Sequence, residues 1–252
     1  MDRLAGILLW GVVFMAQSAV AAEIKLLAPG ALRSTLNEVA PLFQKESGHS
    51  LSIAYAAAGP LAARVRKGEA ADAAILSRAE IYNLRKEGLI RDEPTPDVAR
   101  VGIGIMVRKG APRPDISTLD SLQSALRTAK TIGIADPAQG AAGAHLMKTF
   151  ASWGMINELS SKIRALPPGD GLYAGVETGE AEIGFAPISE ILARRGTLDL
   201  IGPAPSAIQN YNRFAAGVLT SSREPEAATA LITFLSSARI DEVLRKNGLE
   251  PR

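Results

Sequence analysis

The sequence contains no cysteine. Disulfides, thiolate metal sites and cysteine nucleophiles are excluded together. Histidine is almost as scarce: His49 and His145 are the only 2. A histidine-rich metal centre cannot form, and a Ser-His-Asp triad has only these two possible bases. Neither sign of charge dominates, with 28 Lys plus Arg against 26 Asp plus Glu and a formal charge of +2. With no basic run, that balance argues against nucleic acid as a partner. Beyond the N-terminus no apolar run reaches the ~20 residues of a membrane span. Internal repeats and low-complexity tracts are absent, and neither a metal nor a cofactor is expected. What is present is length and apolar content: 252 residues, 47% hydrophobic, enough for one large domain or two lobes with their own cores.

The N-terminus reads as an address. Met1-Asp2-Arg3 precedes the apolar run LAGILLWGVVFM, followed by AQSAVAA with Ala19 and Ala21 in an A-x-A pattern. This is the pattern of a secretory signal peptide, residues 1–22, cleaved after Ala21 or Ala22. The run is too short to span a membrane comfortably, and no cysteine follows it to carry a lipid anchor. The mature chain is expected in the periplasm, stabilised by core packing without disulfides.

From Glu23 onward two patterns alternate. β-rich runs occur at 24–28, 51–55, 73–76, 101–107, 131–135, 181–186, 199–202 and 214–220. Between them lie helical stripes, such as Leu32, Leu36, Val39, Ala40 and Phe43. Ser77-Arg78-Ala79-Glu80 is a capping-box pattern, and Gly88 closes the helix it opens. Strand–helix alternation predicts an α/β fold with parallel-dominated sheets and right-handed crossovers. Pro94, Pro96, Pro112 and Pro114 flank the run 101–107, and Pro203 and Pro205 precede 211–220. These two segments are expected to cross between lobes. Residues 23–100 and 216–252 would form lobe one and 101–215 lobe two.

Three segments carry a family resemblance. APGALRSTLNEVAPLFQKESG (28–48) resembles the first strand-to-helix turn of type II periplasmic binding proteins. YAAAGPLAARVRKGEAADAAILS (55–77) resembles their next helix and strand, including "G-x-x-A-D". IADPAQGAAGAHLMKTFASWG (134–154) resembles the "DP…AG" turn of the second lobe. Order and spacing together point to the molybdate-binding proteins of ABC importers. The resemblance implies two α/β lobes, a hinge of two crossing strands, a small anionic ligand in the cleft, an importer permease as partner, and a monomer. It also implies ligand-facing positions, two serines, two backbone amides and a tyrosine. In this chain the serine positions are Ala31 and Ala58, the amide positions Ala142 and Gly169, and the tyrosine position Pro187.

Every hydroxyl donor of that pattern is therefore missing. A tetrahedral dianion would lose about 1 kcal/mol per bond, more where charge is involved, which sums to orders of magnitude in affinity. The helix starts keep their unpaired N–H groups, and Gly30, Ala31, Ala58, Gly59, Ala142, Gly143 and Gly169 are small enough to let a ligand approach them. Arg33 stands in the first turn of its helix, where the dipole disfavours a cation unless an anion is bound. It lies about 200° round an ideal helix from Ala31, so it must fold back to reach the cleft. Ser189 stands where its hydroxyl caps the helix SEILARR or donates to a ligand, and Tyr211 and Asn212 flank the return crossing. Arg64 and Arg66 are expected to face solvent.

Two functions compete. One is a solute-binding protein holding a small anion, with an organic carboxylate favoured over molybdate. The other is a periplasmic isomerase similar to aconitate isomerase, with His145 or Glu190 as base. No acid–base pair is recognisable in the sequence, so no catalytic residue is assigned and binding ranks first.

Overall fold

Strands covered on both faces read as continuous apolar runs, and Ala73 to Leu76 is such a run, buried throughout. The computed structural model describes residues 21–139 and 141–252, the side chains of Ala58 and Ala141 excepted. The expected signal peptide lies outside the described residues but for its last two positions.

The first lobe opens with β1 (Glu23–Pro29), a 3-10 turn at Gly30–Leu32, α1 (Arg33–Ser47) and β2 (Ser50–Ala56). It continues through α2 (Ala58–Arg66), β3 (Ala73–Ser77), α3 (Arg78–Lys86) and β4 (Asp97–Val101). The second lobe holds β5 (Ile103–Arg108), α4 (Leu119–Thr128), β6 (Ile132–Ala135), α5 (Ala141–Ser152) and α6 (Ile156–Leu159). It is completed by β7 (Ile163–Leu166), α7 (Asp170–Thr178), β8 (Ile183–Pro187), α8 (Ile188–Ala193) and β9 (Leu198–Pro203). The chain then returns to the first lobe as β10 (Asn212–Val218), α9 (Pro225–Leu235), α10 (Asp241–Lys246) and β11 (Glu250–Pro251).

The sheets have orders β11-β4-β10-β3-β1-β2 and β7-β6-β8-β5-β9. Both are mixed, not parallel-dominated as expected. Parallel pairing is confined to β2-β1-β3 and β7-β6-β8; the remaining pairs are antiparallel. The reason is the crossing. β10 and β5 each enter their sheet from the other lobe and run against the third strand of the local βαβαβ unit.

The run 101–107, expected as one strand, is two. β4 ends at Val101 in the first sheet and β5 starts at Ile103 in the second, with Gly102 between. A side-chain amide fixes the break. Gln209, from the return connection 204–211, accepts from the Ile103 N–H at 2.6 Å and donates to the Ile103 carbonyl at 3.0 Å. The lobes also touch beside the hinge. Ile188 of α8 packs on the first lobe's core, and a Cβ built on Gly248 would press on Ile188 and Leu192.

Period-2 alternation sorts each strand between two cores. Ile24, Leu26 and Ala28 face the layer of α1, α9 and α10, whereas Leu27 faces α2 and α3. In the second sheet Ile105 and Val107 face Phe150 and Leu122, and Met106 faces Tyr173 and Val176. Asp72, the acid of the "G-x-x-A-D" motif, is buried and ties chain segments far apart in sequence. Its carboxylate accepts from the N–H groups of Lys25, Arg223 and Glu224 and from the Ser222 hydroxyl, at 2.9–3.2 Å. Burial pushes its pKa up, but those four bonds outweigh burial and hold it below the ordinary value.

Candidate functional site

The strand orders β2-β1-β3 and β7-β6-β8 place a crevice at the carboxyl ends of the strands in each lobe. The two crevices face each other across the hinge and form one cavity of about 1010 Å³. That is the upper end of the range for small-molecule sites.

Helix starts converge on it. Gly30 of the 3-10 turn, Ala57 before α2, Ala142 in α5, Gly169 before α7 and Pro187 before α8 all lie in the wall. The N-cap residues Pro29, Ala57, Gly169 and Pro187 make no side-chain cap bond. Pro, Ala and Gly carry no side-chain acceptor, so the first N–H groups of α2 and α7 are left for a ligand or water, whereas the first N–H of α8, on Ile188, donates to the Gly102 carbonyl at 3.1 Å. Ser77, also in the wall, does cap its helix: its hydroxyl accepts from the Glu80 N–H at 3.3 Å. That is half of the expected capping box.

Arg33 reaches the cavity. Its guanidinium lies 4.2 Å from the centre of the Tyr55 ring, also in the wall, so the side chain folds back along the ring and stays by the helix start. Among the described residues no carboxylate lies within ion-pair distance of Arg33. The Tyr55 hydroxyl donates to Asn37 at 3.1 Å. Burial raises the Tyr55 pKa, and Arg33 partly opposes that.

The opposite wall repeats the motif in the second lobe. The Arg194 guanidinium stacks 3.9 Å from the centre of the Tyr173 ring and pairs with Asp170. The Tyr173 hydroxyl donates to Glu190 Oε2 at 2.7 Å. Burial, and then the Glu190 carboxylate, push the Tyr173 phenol far above its ordinary value, so it remains protonated. At the hinge, Tyr211 lines the cavity and Arg100 stacks on it at 4.6 Å. Glu250 beside Tyr211 raises the phenol's pKa through a hydrogen bond, with burial adding to it.

Of the residues expected to face the ligand, Gly30, Arg33, Ala142, Gly169, Pro187 and Tyr211 lie in the wall. Among the described residues, Ala31, Gly59, Gly143 and Ser189 are not part of it. The Ala31 methyl joins the first lobe's core, one residue past the wall position Gly30. Gly59 is exposed on α2. Gly143 is a packing glycine: a Cβ there would fall on the Ala135 carbonyl oxygen. Ser189 meets neither expectation. Pro187 holds the N-cap position of α8, and the Ser189 hydroxyl is buried with no hydrogen-bond partner. Ala58 opens α2, and its side chain lies outside the described residues.

His145 is outside the wall too, with Nε2 3.4 Å from the Ile208 carbonyl. Arg64 and Arg66 pair with Glu69 and Glu87 on the surface. The sequence reading missed Arg194 and gave Tyr173 no role. The spacing of Glu190 and Arg194, one helical turn apart beside Pro187, was the signal available. No group of three or more His, Asp or Glu residues suited to a metal exists among the described residues.

Comparison with known proteins agrees with this architecture. Over 233 residues the chain is 29% identical to an aconitate isomerase of a Pseudomonas species, covering 90% of this chain and 87% of that protein. It is 24% identical over 241 residues to a molybdate-binding protein of Rhodobacter capsulatus, covering 94% and 92% of the two chains. The solved periplasmic molybdate-binding protein of Azotobacter vinelandii has the same two-lobed fold, with a TM-score of 0.74 at 16% identity. That match covers 91% of this chain and 99% of that one. Residues 24–250 match the family model of the bacterial extracellular solute-binding proteins, a span that includes both sheets and the cavity between them, and the chain belongs to that family.

Proposed function

We propose that the protein holds a small organic carboxylate in the interlobe cavity, in the periplasm, and delivers it to an ABC importer permease. The observation that carries this reading is the pair of uncapped helix starts, of α2 and α7, that open from opposite lobes on one cavity beside Arg33, which pairs with no carboxylate among the described residues. Helix starts favour anions, and a guanidinium fork matches a planar carboxylate. Against molybdate stands the shortage of hydroxyls free to donate. Tyr55 and Tyr173 already donate to Asn37 and Glu190, Tyr211 is hydrogen-bonded to Glu250, and Pro187 offers none, which leaves the Ser77 hydroxyl, an acceptor from the Glu80 N–H, as the wall's free hydroxyl donor among the described residues. A ligand bridging both lobes would favour the closed arrangement, since its affinity is spent on whichever state it touches on two sides.

Titration calorimetry with citrate, trans-aconitate and molybdate tests the reading. The carboxylates should bind more tightly than molybdate, and Arg33→Ala should cost about 1.5–3 kcal/mol of carboxylate affinity. Sub-micromolar molybdate binding, or an unchanged carboxylate affinity in Arg33→Ala, would refute it.

A second reading, conversion of the bound acid, is favoured by one observation beyond the similarity to an aconitate isomerase. The fold brings Glu190 and Tyr173 together in the wall of the same cavity.

A further inference from the structure

A wall that attracts an anion gains nothing from a carboxylate of its own, yet Glu190 lies in it. The neighbouring arginine does not neutralise that group. Arg194 is turned onto the Tyr173 ring and paired with Asp170, and it meets Glu190 only by donating to its backbone carbonyl at 3.3 Å. Among the described residues no cation forms an ion pair with the Glu190 side chain. Its one side-chain partner is the neutral Tyr173 hydroxyl, on Oε2 at 2.7 Å. Tyr173 is 2% exposed and its phenol stays protonated, so it serves as a fixed donor that aims the carboxylate without taking a proton from it. One oxygen is thus held by a rigid partner while the carboxyl group borders the ligand space. This is the arrangement of a positioned general base.

We infer that Glu190 carries a proton on the ligand, with Tyr173 as its positioning residue, in a cavity that selects an unsaturated polycarboxylate with an acidic C–H beside its double bond. The inference rests on the carboxylate reading of the cavity. The Glu190 carboxylate takes a proton from the CH2 next to the double bond. The C–H electron pair enters an allylic anion conjugated with the ligand's carboxylates, where Arg33 and the helix starts stabilise the added charge. Glu190, now a carboxylic acid, returns the proton to the far carbon of the allyl unit. The double bond moves by one carbon, Glu190 is ionised again, and the composition of the ligand is unchanged, so no co-reactant is needed.

The test uses trans-aconitate as the probe in D2O with the purified protein. Proton NMR follows exchange at the methylene carbon and appearance of the cis isomer, while calorimetry measures affinity on the same preparations. The wild type should exchange and isomerise the probe. Glu190→Gln keeps the side chain's size and an oxygen for the Tyr173 hydroxyl, so it should lose at least about 100-fold in rate while binding the probe as tightly or more tightly. Tyr173→Phe should lose about tenfold in rate at saturating probe with the dissociation constant within about threefold, a split that unfolding would not give. Binding of the probe without exchange above the buffer rate, or wild-type exchange in Glu190→Gln, overturns the proposal while leaving the carboxylate reading intact. Failure of every carboxylate to bind overturns both.

Discussion

Replacing Gln209 with alanine removes the side-chain link between the two chain crossings. The Gln209 amide accepts from Ile103 N–H at 2.6 Å and Asn210 N–H at 3.1 Å, and donates to the carbonyls of Ile103 at 3.0 Å and Ala204 at 3.3 Å. The Ile103 carbonyl keeps a second donor, the Ala204 N–H at 2.9 Å, so it is not orphaned by the change. The Ile103 N–H loses its strongest acceptor at the point where the strand changes sheets. Two good bonds at about 1 kcal/mol each, with a smaller sum from the two longer ones, give about 2–3 kcal/mol of destabilisation. For a chain of this size that is a fall of about 4–12 °C in Tm.

Gln209→Glu sharpens the test. It keeps the acceptor for Ile103 N–H but turns a second oxygen, without a proton, toward the carbonyls of Ile103 and Ala204. At neutral pH it should therefore be less stable than Gln209→Ala. Thermal and urea unfolding of the three proteins at one pH decide the matter. A Gln209→Ala protein within about 0.5 kcal/mol of wild type, or a glutamate variant more stable than the alanine one, would show that the hinge is held by something else.

Asp72→Asn should destabilise by about 2–4 kcal/mol, because an amide cannot accept from Lys25 on one side and from Ser222, Arg223 and Glu224 on the other. The folded pKa of Asp72 is lowered, so its contribution is complete above the unfolded value of about 3.9 and is lost as pH falls through the folded value. Acid titration of stability should accordingly be shallower in Asp72→Asn than in wild type. Gly143→Ala should cost about 2–3 kcal/mol in urea unfolding, since α5 must move off the Ala135 carbonyl to make room. Asp170→Ala should change stability by less than about 0.5 kcal/mol despite its close pair with Arg194, because the Asp170 side chain is 96% exposed and solvent screens the pair.

What the sequence revealed and what it hid divide along the range of the interaction. Leu36, Val39 and Phe43 are buried on α1 as their stripe required, and Ser77 caps α3, because both patterns depend on neighbours three or four residues away. The break at Gly102 was hidden, since a glycine inside an apolar run fits a continuous strand equally well. What breaks the strand is Gln209, brought alongside only by the folded hinge. β7 was missed because Ile163-Arg164-Ala165-Leu166 at the sheet edge buries only its last residue, so its apolar pattern is weak. Asp72 was legible as a motif but not as a structural tie, because its partners Ser222 to Glu224 lie at the far end of the chain.

The site divides in the same way. Small residues at helix starts announce that something approaches the backbone, but N–H groups are common to every residue and name no ligand. Ligand choice falls to side chains whose relation is purely spatial. Arg33 looked misdirected by the helical angle, and only the Tyr55 ring on another strand turns it inward. Tyr173 and Glu190 sit on different helices on either side of β8, and packing of both helices at one end of the second sheet makes them partners. Loss of the expected hydroxyl donors therefore did more than weaken one ligand class. Of the four charged side chains in the cavity wall, Arg194 and Asp170 pair with each other, and on our proposal Arg33 and Glu190, which have no ion-pair partner among the described residues, set its chemistry.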